Sequence, residues 1–298
     1  MDRLLWTQVS DMGPPNRFQQ ALAYDSDRDR VVLFGGRIPI QYVEGGPSEI
    51  YAQDTWEWDS SMWIQMEDMG PPGRGEHALC YDAGRRRTVL FGGSGKTLFG
   101  DIWEWDGELW TQMADDGPPP NAVYALAYDA SHEYVLLFSF ANKEHPHGST
   151  WAWDGVSWTQ LDDAGAGTGN GIMAYDGNEQ RMLLCTDSSA EPPPQPGPPT
   201  YTWTGKAWQQ ISHLGVHINA AGANIAFDGK ETILYLPGYV QTWSWLDSRW
   251  VQRQDMGPPS ALGKSMVGDT KRNQCVVFGK ESGAGDPPET WVLRRVQP

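Results

Sequence analysis

Cysteine is scarce in this sequence: Cys80, Cys185 and Cys275 are the three among 298 residues. An odd and small number excludes a disulfide framework. No Asn-X-Ser/Thr sequon occurs. No apolar run approaches the ~18–20 residues of a membrane-spanning helix. The opening Met1-Asp2-Arg3-Leu4-Leu5-Trp6-Thr7 lacks the apolar core of a signal peptide. These absences predict a cytoplasmic protein with no membrane partner. Positive charge is also short, 22 Lys and Arg against 38 Asp and Glu for a net −16, which argues against a nucleic-acid partner bound through its phosphates. No segment of ten or more residues shows a 3.6-residue apolar period, so helix content is expected near zero. Gly-x-Ser-x-Gly and His-Glu-x-x-His are both missing. Gly93-Ser94-Gly95-Lys96-Thr97 fails as a phosphate loop, because Leu90 holds the leading glycine position and no helix follows.

What the chain does have is 16 Trp, 34 Gly and 22 Pro, and the tryptophans repeat. Trp56/Trp58/Trp63 and Trp103/Trp105/Trp110 are near copies, followed by Trp151/Trp153/Trp158 and Trp243/Trp245/Trp250, with a weakened Tyr201/Trp203/Trp208. Trp291 with Leu293 ends the series, and Trp6 stands alone at the start. A second marker runs beside the first: Tyr24-Asp25, Tyr81-Asp82, Tyr128-Asp129, Tyr175-Asp176, Phe227-Asp228 and Gly268-Asp269. Self-similarity at about 50 residues marks a repeat architecture of six units. Within the second unit, 77–82, 87–93, 101–106 and 109–113 read as strands a to d, divided by Asp/Gly turns.

Four-stranded units at this period predict an all-β, six-bladed β-propeller. A single small sheet cannot bury both of its faces, whereas neighbouring blades stacked face to face can. The Trp stripes are expected between blades, with Asp-Met-Gly-Pro-Pro (11–15, 68–72, 255–259) as a structural turn. The sixth unit stops after strand c, so residues 4–9 should supply its outer strand and close the ring. One domain is expected over 1–298, with blades near 18–67, 75–113, 122–161, 170–211, 221–253 and 263–294 plus 4–9.

Phe34-Gly35-Gly36 and Phe91-Gly92-Gly93, each followed by a variable loop and an aromatic-rich strand, resemble the Kelch repeat. The resemblance spans the whole chain and implies a six-bladed propeller. It departs in units three to five, where Ser139-Phe140, Thr186-Asp187 and Pro237-Gly238 replace the double glycine, and in unit six, where one glycine is left in Gly279-Lys280. Kelch propellers include adaptors, ligand binders and enzymes, so the resemblance implies fold more than function.

Connectivity sorts the long b–c and d–a loops onto one face, where binding is expected. These loops hold most of the net negative charge. Near the central mouth the units differ: strand a begins with Gln20, His77, Tyr124, Gly171, Ala223 and Lys264, preceded three residues earlier by Arg17, Arg74, Asn121, Thr168, Ala220 and Ala261. Arg37, Glu76 and His217 join this group from neighbouring loops. The expected pocket is lopsided, with Arg17, Arg37, Arg74 and Lys264 suited to a carboxylate or other anionic group. Gln20, Asn121 and His217 add hydrogen-bonding capacity.

Two functions compete. The first is a binding module for a small polar or anionic ligand or a protein segment, the latter read by exposed aromatics such as Tyr42, Tyr51, Phe99 and Phe140. The second is a cofactor-independent isomerase, cyclase or lyase, with His77 as acid–base group and Glu76 or Tyr124 assisting, which resembles some Kelch-like sugar-acid isomerases. No cofactor is expected. No metal is expected either, His145 and His147 reading as exposed loop histidines, and the three Cys read as small buried groups.

Overall fold

The computed structural model describes residues 2–40, 49–67, 69–120, 124–140, 148–163, 165–166, 170–186, 197–214, 223–258, 265–279 and 287–296. Among them there is no helix, and the strands form six four-stranded antiparallel sheets arranged as a β-propeller. Blade 1 comprises Ala21–Asp25, Arg30–Phe34, Thr55–Trp58 and Trp63–Glu67; blade 2 comprises Ala78–Asp82, Arg87–Phe91, Ile102–Trp105 and Trp110–Ala114. Blade 3 runs from Tyr124–Asp129 to Trp158–Asp162, blade 4 from Gly171–Asp176 to Trp208–His213, and blade 5 from Asn224–Phe227 to Arg249–Gln254. Blade 6 joins Ser265–Asp269, Gln274–Phe278 and Thr290–Val296 to the N-terminal strand Arg3–Ser10. Each expected strand of blade 2 lies within two residues of its place. Residues 37–53, expected as one loop, contain a small hairpin, Arg37–Pro39 paired with Glu49–Tyr51.

Strand periodicity sends alternate side chains to opposite faces of a sheet, and each face meets a different neighbour. Val32 and Phe34 join Leu79, Leu90 and Trp105 of blade 2, while Val31 and Leu33 join Val276, Phe278 and Val292 of blade 6. Six such clusters fill the six spaces between blades, so the core is a ring of seams. Tryptophan suits a seam because its wide ring can bury ~150–250 Å², or roughly 4–6 kcal/mol of gross hydrophobic free energy at ~25 cal/mol per Å².

The indole N–H groups make the seams specific. The Trp that opens strand d donates to a buried Thr at the head of strand c in the preceding blade. Trp110 donates to Thr55 (2.8 Å), Trp208 to Thr150 (2.8 Å), Trp250 to Thr200 (2.9 Å), Trp63 to Thr290 (2.9 Å) and Trp6 to Thr242 (3.0 Å). The sixth seam breaks the rule: Ile102 stands where the Thr belongs, and Trp158 Nε1 is buried without an acceptor.

Aspartates head the turns. Asp25, Asp176 and Asp228 each accept two main-chain N–H groups in their a–b turns, as Asp59, Asp106 and Asp154 do in the c–d turns. Much of the chain's acidity is therefore turn chemistry. The Asp-Met-Gly-Pro-Pro segments are also structural. A Cβ on Gly13 would sit 2.5 Å from Trp63 Cδ1, and one on Gly70 would sit 2.7 Å from Trp110 Cδ1, so glycine lets the loop lie flat on the indole.

Candidate functional site

Strand a ends the hydrogen-bonded order of every blade, and the six a strands contact one another in a closed ring. One main-chain edge of each is therefore left without a strand partner and faces the axis. Leu22, Leu79, Leu126, Met173, Ile225 and Met266, one per blade, line both the cavity on the long-loop face and the one on the opposite face. The chamber on the long-loop face measures about 190 Å³. Its wall takes Gln20, His77, Tyr124, Asn224 and Ser265 as well as Ala21, Ala78, Ala125 and Gly171, with no Asp, Glu, Lys or Arg among those described. Donors and acceptors therefore come from polar side chains as well as from the strand edges. The opposite chamber, about 320 Å³, is rimmed by Tyr24, Tyr81, Tyr128, Tyr175 and Phe227. Several of those hydroxyls are already committed: Tyr24 donates to Asp29, Tyr81 to Asp27 across the blade boundary, and Tyr175 shares a hydrogen with Ser131.

The residues expected to gather at the mouth part company. Arg17 and Arg74 are fully buried and do not face a ligand. Arg17 forks onto both oxygens of Asp54 (2.5 and 2.9 Å) and donates to the carbonyls of Pro15 and Gly35. Arg74 repeats this with Asp101 (2.6 and 2.9 Å), Pro72 and Gly92. Burial by itself raises the Asp54 and Asp101 carboxyls, but the arginine hydrogen bonds and charge outweigh it and hold both below the ordinary range. These pairs fasten each d–a crossing to the head of strand c. Left-handed glycines make room: Gly35 has φ 62°, and a Cβ there would sit 2.7 Å from the Arg74 carbonyl.

His77, Tyr124 and Gln20 do line the mouth chamber, as expected, but each is also packed or bonded into the blades around it. A blade stands radially, so strand a aims its side chains at neighbouring blades and its main-chain edge at the axis. His77 lies edge-on to Phe34 at 5.5 Å, with a Cβ on Gly93 able to reach only 2.8 Å from its own. Burial, helped by the Arg74 charge, lowers its pKa to about 3, against a smaller opposing pull from the Phe34 main chain. A neutral imidazole in the chamber wall offers one N–H donor and one acceptor nitrogen, and it is not an imidazolium acid at neutral pH. Tyr124 packs edge-on to Phe91 at 4.9 Å and donates its O–H to the Pro119 carbonyl at 2.8 Å. Gln20 donates Nε2 to the Phe278 carbonyl at 2.9 Å.

Arg37 and Glu76 do come together, at the rim between blades 1 and 2. Arg37 donates to Glu49 at 2.8 Å, lies 3.5 Å from Glu76, reaches Ser94 Oγ at 3.3 Å and covers the Tyr51 ring at 5.0 Å. Glu76 also accepts from Gln19 Nε2 at 2.6 Å and Ser94 Oγ at 2.7 Å. Gln19 and Glu76 hold left-handed backbone, φ 57° and 60°, a conformation that costs a non-glycine residue of order 1 kcal/mol. The sequence reading missed Gln19, Glu49 and Ser94, none of which belongs to a repeated motif. Phe99 serves as a platform under Arg74, 3.9 Å away, and Phe140 is buried against Phe138. Asn121, His217, Lys264, His145, His147 and Tyr42 lie outside the described residues. Among the described residues, no three His, Cys, Asp or Glu gather as metal ligands, and no helix is long and apolar enough to cross a membrane. All three cysteines are buried free thiols.

No protein-family model and no curated protein sequence matches the chain, so membership of the Kelch family is not carried beyond a resemblance. Solved structures do match in shape. An α-L-arabinofuranosidase from Fusarium graminearum, in complex with an iminosugar inhibitor, superposes with a TM-score of 0.65 at 11% identity over 97% of each chain. An α-L-arabinanase from Penicillium chrysogenum, complexed with arabinobiose, gives 0.61 at 10% identity over 96% of this chain and 97% of that one. A protein of unknown function from Dyadobacter fermentans gives 0.65 at 11% identity over 99% and 100%. At such identity the likeness establishes the fold, a six-bladed propeller.

Proposed function

We propose that this protein is a ligand-binding propeller whose ligand is a small, neutral, hydroxyl-rich molecule of carbohydrate type. The ligand enters from the long-loop face, with the Arg37–Glu76–Ser94 cluster at the rim. The observation that carries the reading is the mouth chamber: about 190 Å³, with Gln20, His77, Asn224 and Ser265 beside the inner strand edges in its wall, and no Asp, Glu, Lys or Arg among those described. Main-chain N–H and C=O groups offer both donors and acceptors, the complement of a molecule whose hydroxyls are both. An anionic ligand loses support because Arg17 and Arg74 are engaged in buried ion pairs. Two structural neighbours hold arabinobiose or an iminosugar, which favours the same ligand class.

Binding is preferred to catalysis. Glycoside hydrolysis in its usual form needs two carboxyl groups flanking the scissile bond, and the described chamber wall has no Asp or Glu. The acid–base role expected of His77 finds no support in a buried neutral ring. The test is a thermal-shift and calorimetric panel of neutral saccharides set beside their uronic-acid counterparts. Wild type should bind a neutral sugar more tightly than its acid, and the Arg37→Met/Glu76→Gln variant should lose about tenfold in affinity, the worth of one net hydrogen bond or slightly more. Preference for the acid, or indifference to the rim variant, overturns the proposal.

A further inference from the structure

The face opposite the long loops carries a third cavity, about 370 Å³, between blades 5 and 6 where the ring closes. Its wall is Asp2, Lys230, Arg272, Asn273, Gln274, Arg294, Arg295 and Val296. Four cations line one pocket of a chain whose net charge is −16.

Two of the four are spoken for. Arg272 is held by Asp29 (2.5 Å) and Asp269 (3.0 Å), and Arg295 by Asp228 (2.5 Å) and Glu231 (2.9 Å). Those pairs fix the guanidiniums in place, and Arg295, with its side chain 7% exposed, keeps a buried Nε that has no acceptor. The other two differ. Arg294 donates Nε to Gln274 Oε1 at 3.1 Å, and neither it nor Lys230 has a carboxylate partner among the described residues. Asp2 supplies the one opposing charge in the wall.

Arg272 follows the repeat, pairing with the aspartate three residues before it as Arg28 and Arg85 do; Arg294 does not. Arg294 occupies the position where Asp59, Asp106 and Asp154 head the c–d turns of blades 1 to 3. Blade 6 has no such turn, because its outer strand arrives from the N-terminus. Release from the turn explains the loss of the aspartate; it does not explain replacement by an arginine followed by another. We infer that this pocket is a second ligand site, taking the phosphoryl group of a small metabolite. Lys230 and Arg294 supply the free charge, and Arg272, Arg295 and Asn273 supply positioned donors. Guanidinium forks match tetrahedral oxyanions with paired hydrogen bonds. An occupant would touch Arg294–Val296 of the last strand, Asp2 beside the first, and the turns of blades 5 and 6. Binding therefore tightens the ring closure and raises the melting temperature by mass action.

Inorganic phosphate is the probe, compared with chloride at equal ionic strength by thermal shift and calorimetry. Wild type should show a saturable, phosphate-specific rise in melting temperature. Lys230→Gln/Arg294→Gln replaces two exposed side chains that make no ion pair among the described residues. It should melt within a degree or two of wild type without phosphate, and bind phosphate at least tenfold more weakly. Arg37→Met, on the opposite face, should leave the phosphate response intact. No distinction between phosphate and chloride in wild type, an undiminished response in the double variant, or loss of the response in Arg37→Met would each overturn the assignment. Because the saccharide panel reads the other face, the two proposals fail separately.

Discussion

Thr55→Val tests the physics of the seams most cleanly. The substitution keeps the shape of a fully buried side chain and puts a methyl in place of the hydroxyl that accepts the Trp110 indole N–H at 2.8 Å. The indole stays in place, 9% exposed, with a donor that has lost its partner. Stranding a buried donor costs about 1–3 kcal/mol. The unfolding entropy of a 298-residue chain is roughly 0.6 kcal/mol/K at ~2.1 cal/mol/K per residue. The melting temperature should therefore fall by about 2–5 °C, with a matching loss in urea unfolding. The molecule supplies its own counter-experiment. At the second blade Ile102 already leaves Trp158 without an acceptor, so Ile102→Thr restores a hydrogen bond while giving up apolar volume, and should cost less than Ile102→Val plus the usual penalty for burying a hydroxyl. If Thr55→Val melts like wild type, or if Ile102→Thr costs as much as Ile102→Val plus that penalty, the indole–threonine bonds are incidental to the seams.

Asp101→Asn should destabilise by about 3–5 kcal/mol, or roughly 5–8 °C, by leaving Arg74 buried and uncompensated; a loss under 1 °C would show that the pair is dispensable. Deleting residues 1–9 removes most of the strand that closes blade 6, and should lower and broaden the thermal transition; an unchanged melt would refute closure by the N-terminus. The pH dependence follows from His77, whose folded pKa near 3 lies below the ordinary 6.5. Below pH 6.5 the unfolded chain takes up a proton that the folded one refuses, so stability falls between pH 6.5 and 3, by about 2–3 kcal/mol at pH 4.5. His77→Gln should flatten that slope in acid denaturation, and identical slopes would contradict the burial of a neutral imidazole.

The architecture was legible because it is periodic. Six Tyr-Asp-type markers and the Trp stripes give the blade number directly, and the orphan Trp6 points to its place opposite Thr242. The site was less legible, because reading a polar residue at the head of strand a as a channel residue assumes that its side chain points to the axis. In radially standing sheets the main-chain edge points there, so His77 and Tyr124 reach the chamber wall while packing on Phe34 and Phe91 of the neighbouring blade. A signal for Arg17 and Arg74 was present in the repeat: they occur only in the two units that also have a double glycine and an aspartate before strand c, Asp54 and Asp101. The other four units, with Asn121, Thr168, Ala220 and Ala261, have Ser149, Pro199, Gln241 and Glu289 at that place. Covariation within one chain identifies a structural unit. The rim cluster of Gln19, Glu49 and Ser94 had no such signal, since it forms where unrelated loops meet.

The central claim is that the mouth chamber recognises neutral, hydroxyl-rich molecules through strand edges. Main-chain amide shifts of Ala21, Ala78, Ala125 and Gly171, followed by NMR during titration with a neutral disaccharide, measure this directly. Saturable shifts are expected at these chamber positions, with none around Tyr24, Tyr81 and Tyr128. Shifts confined to the aromatic chamber, or absent from both, would contradict it.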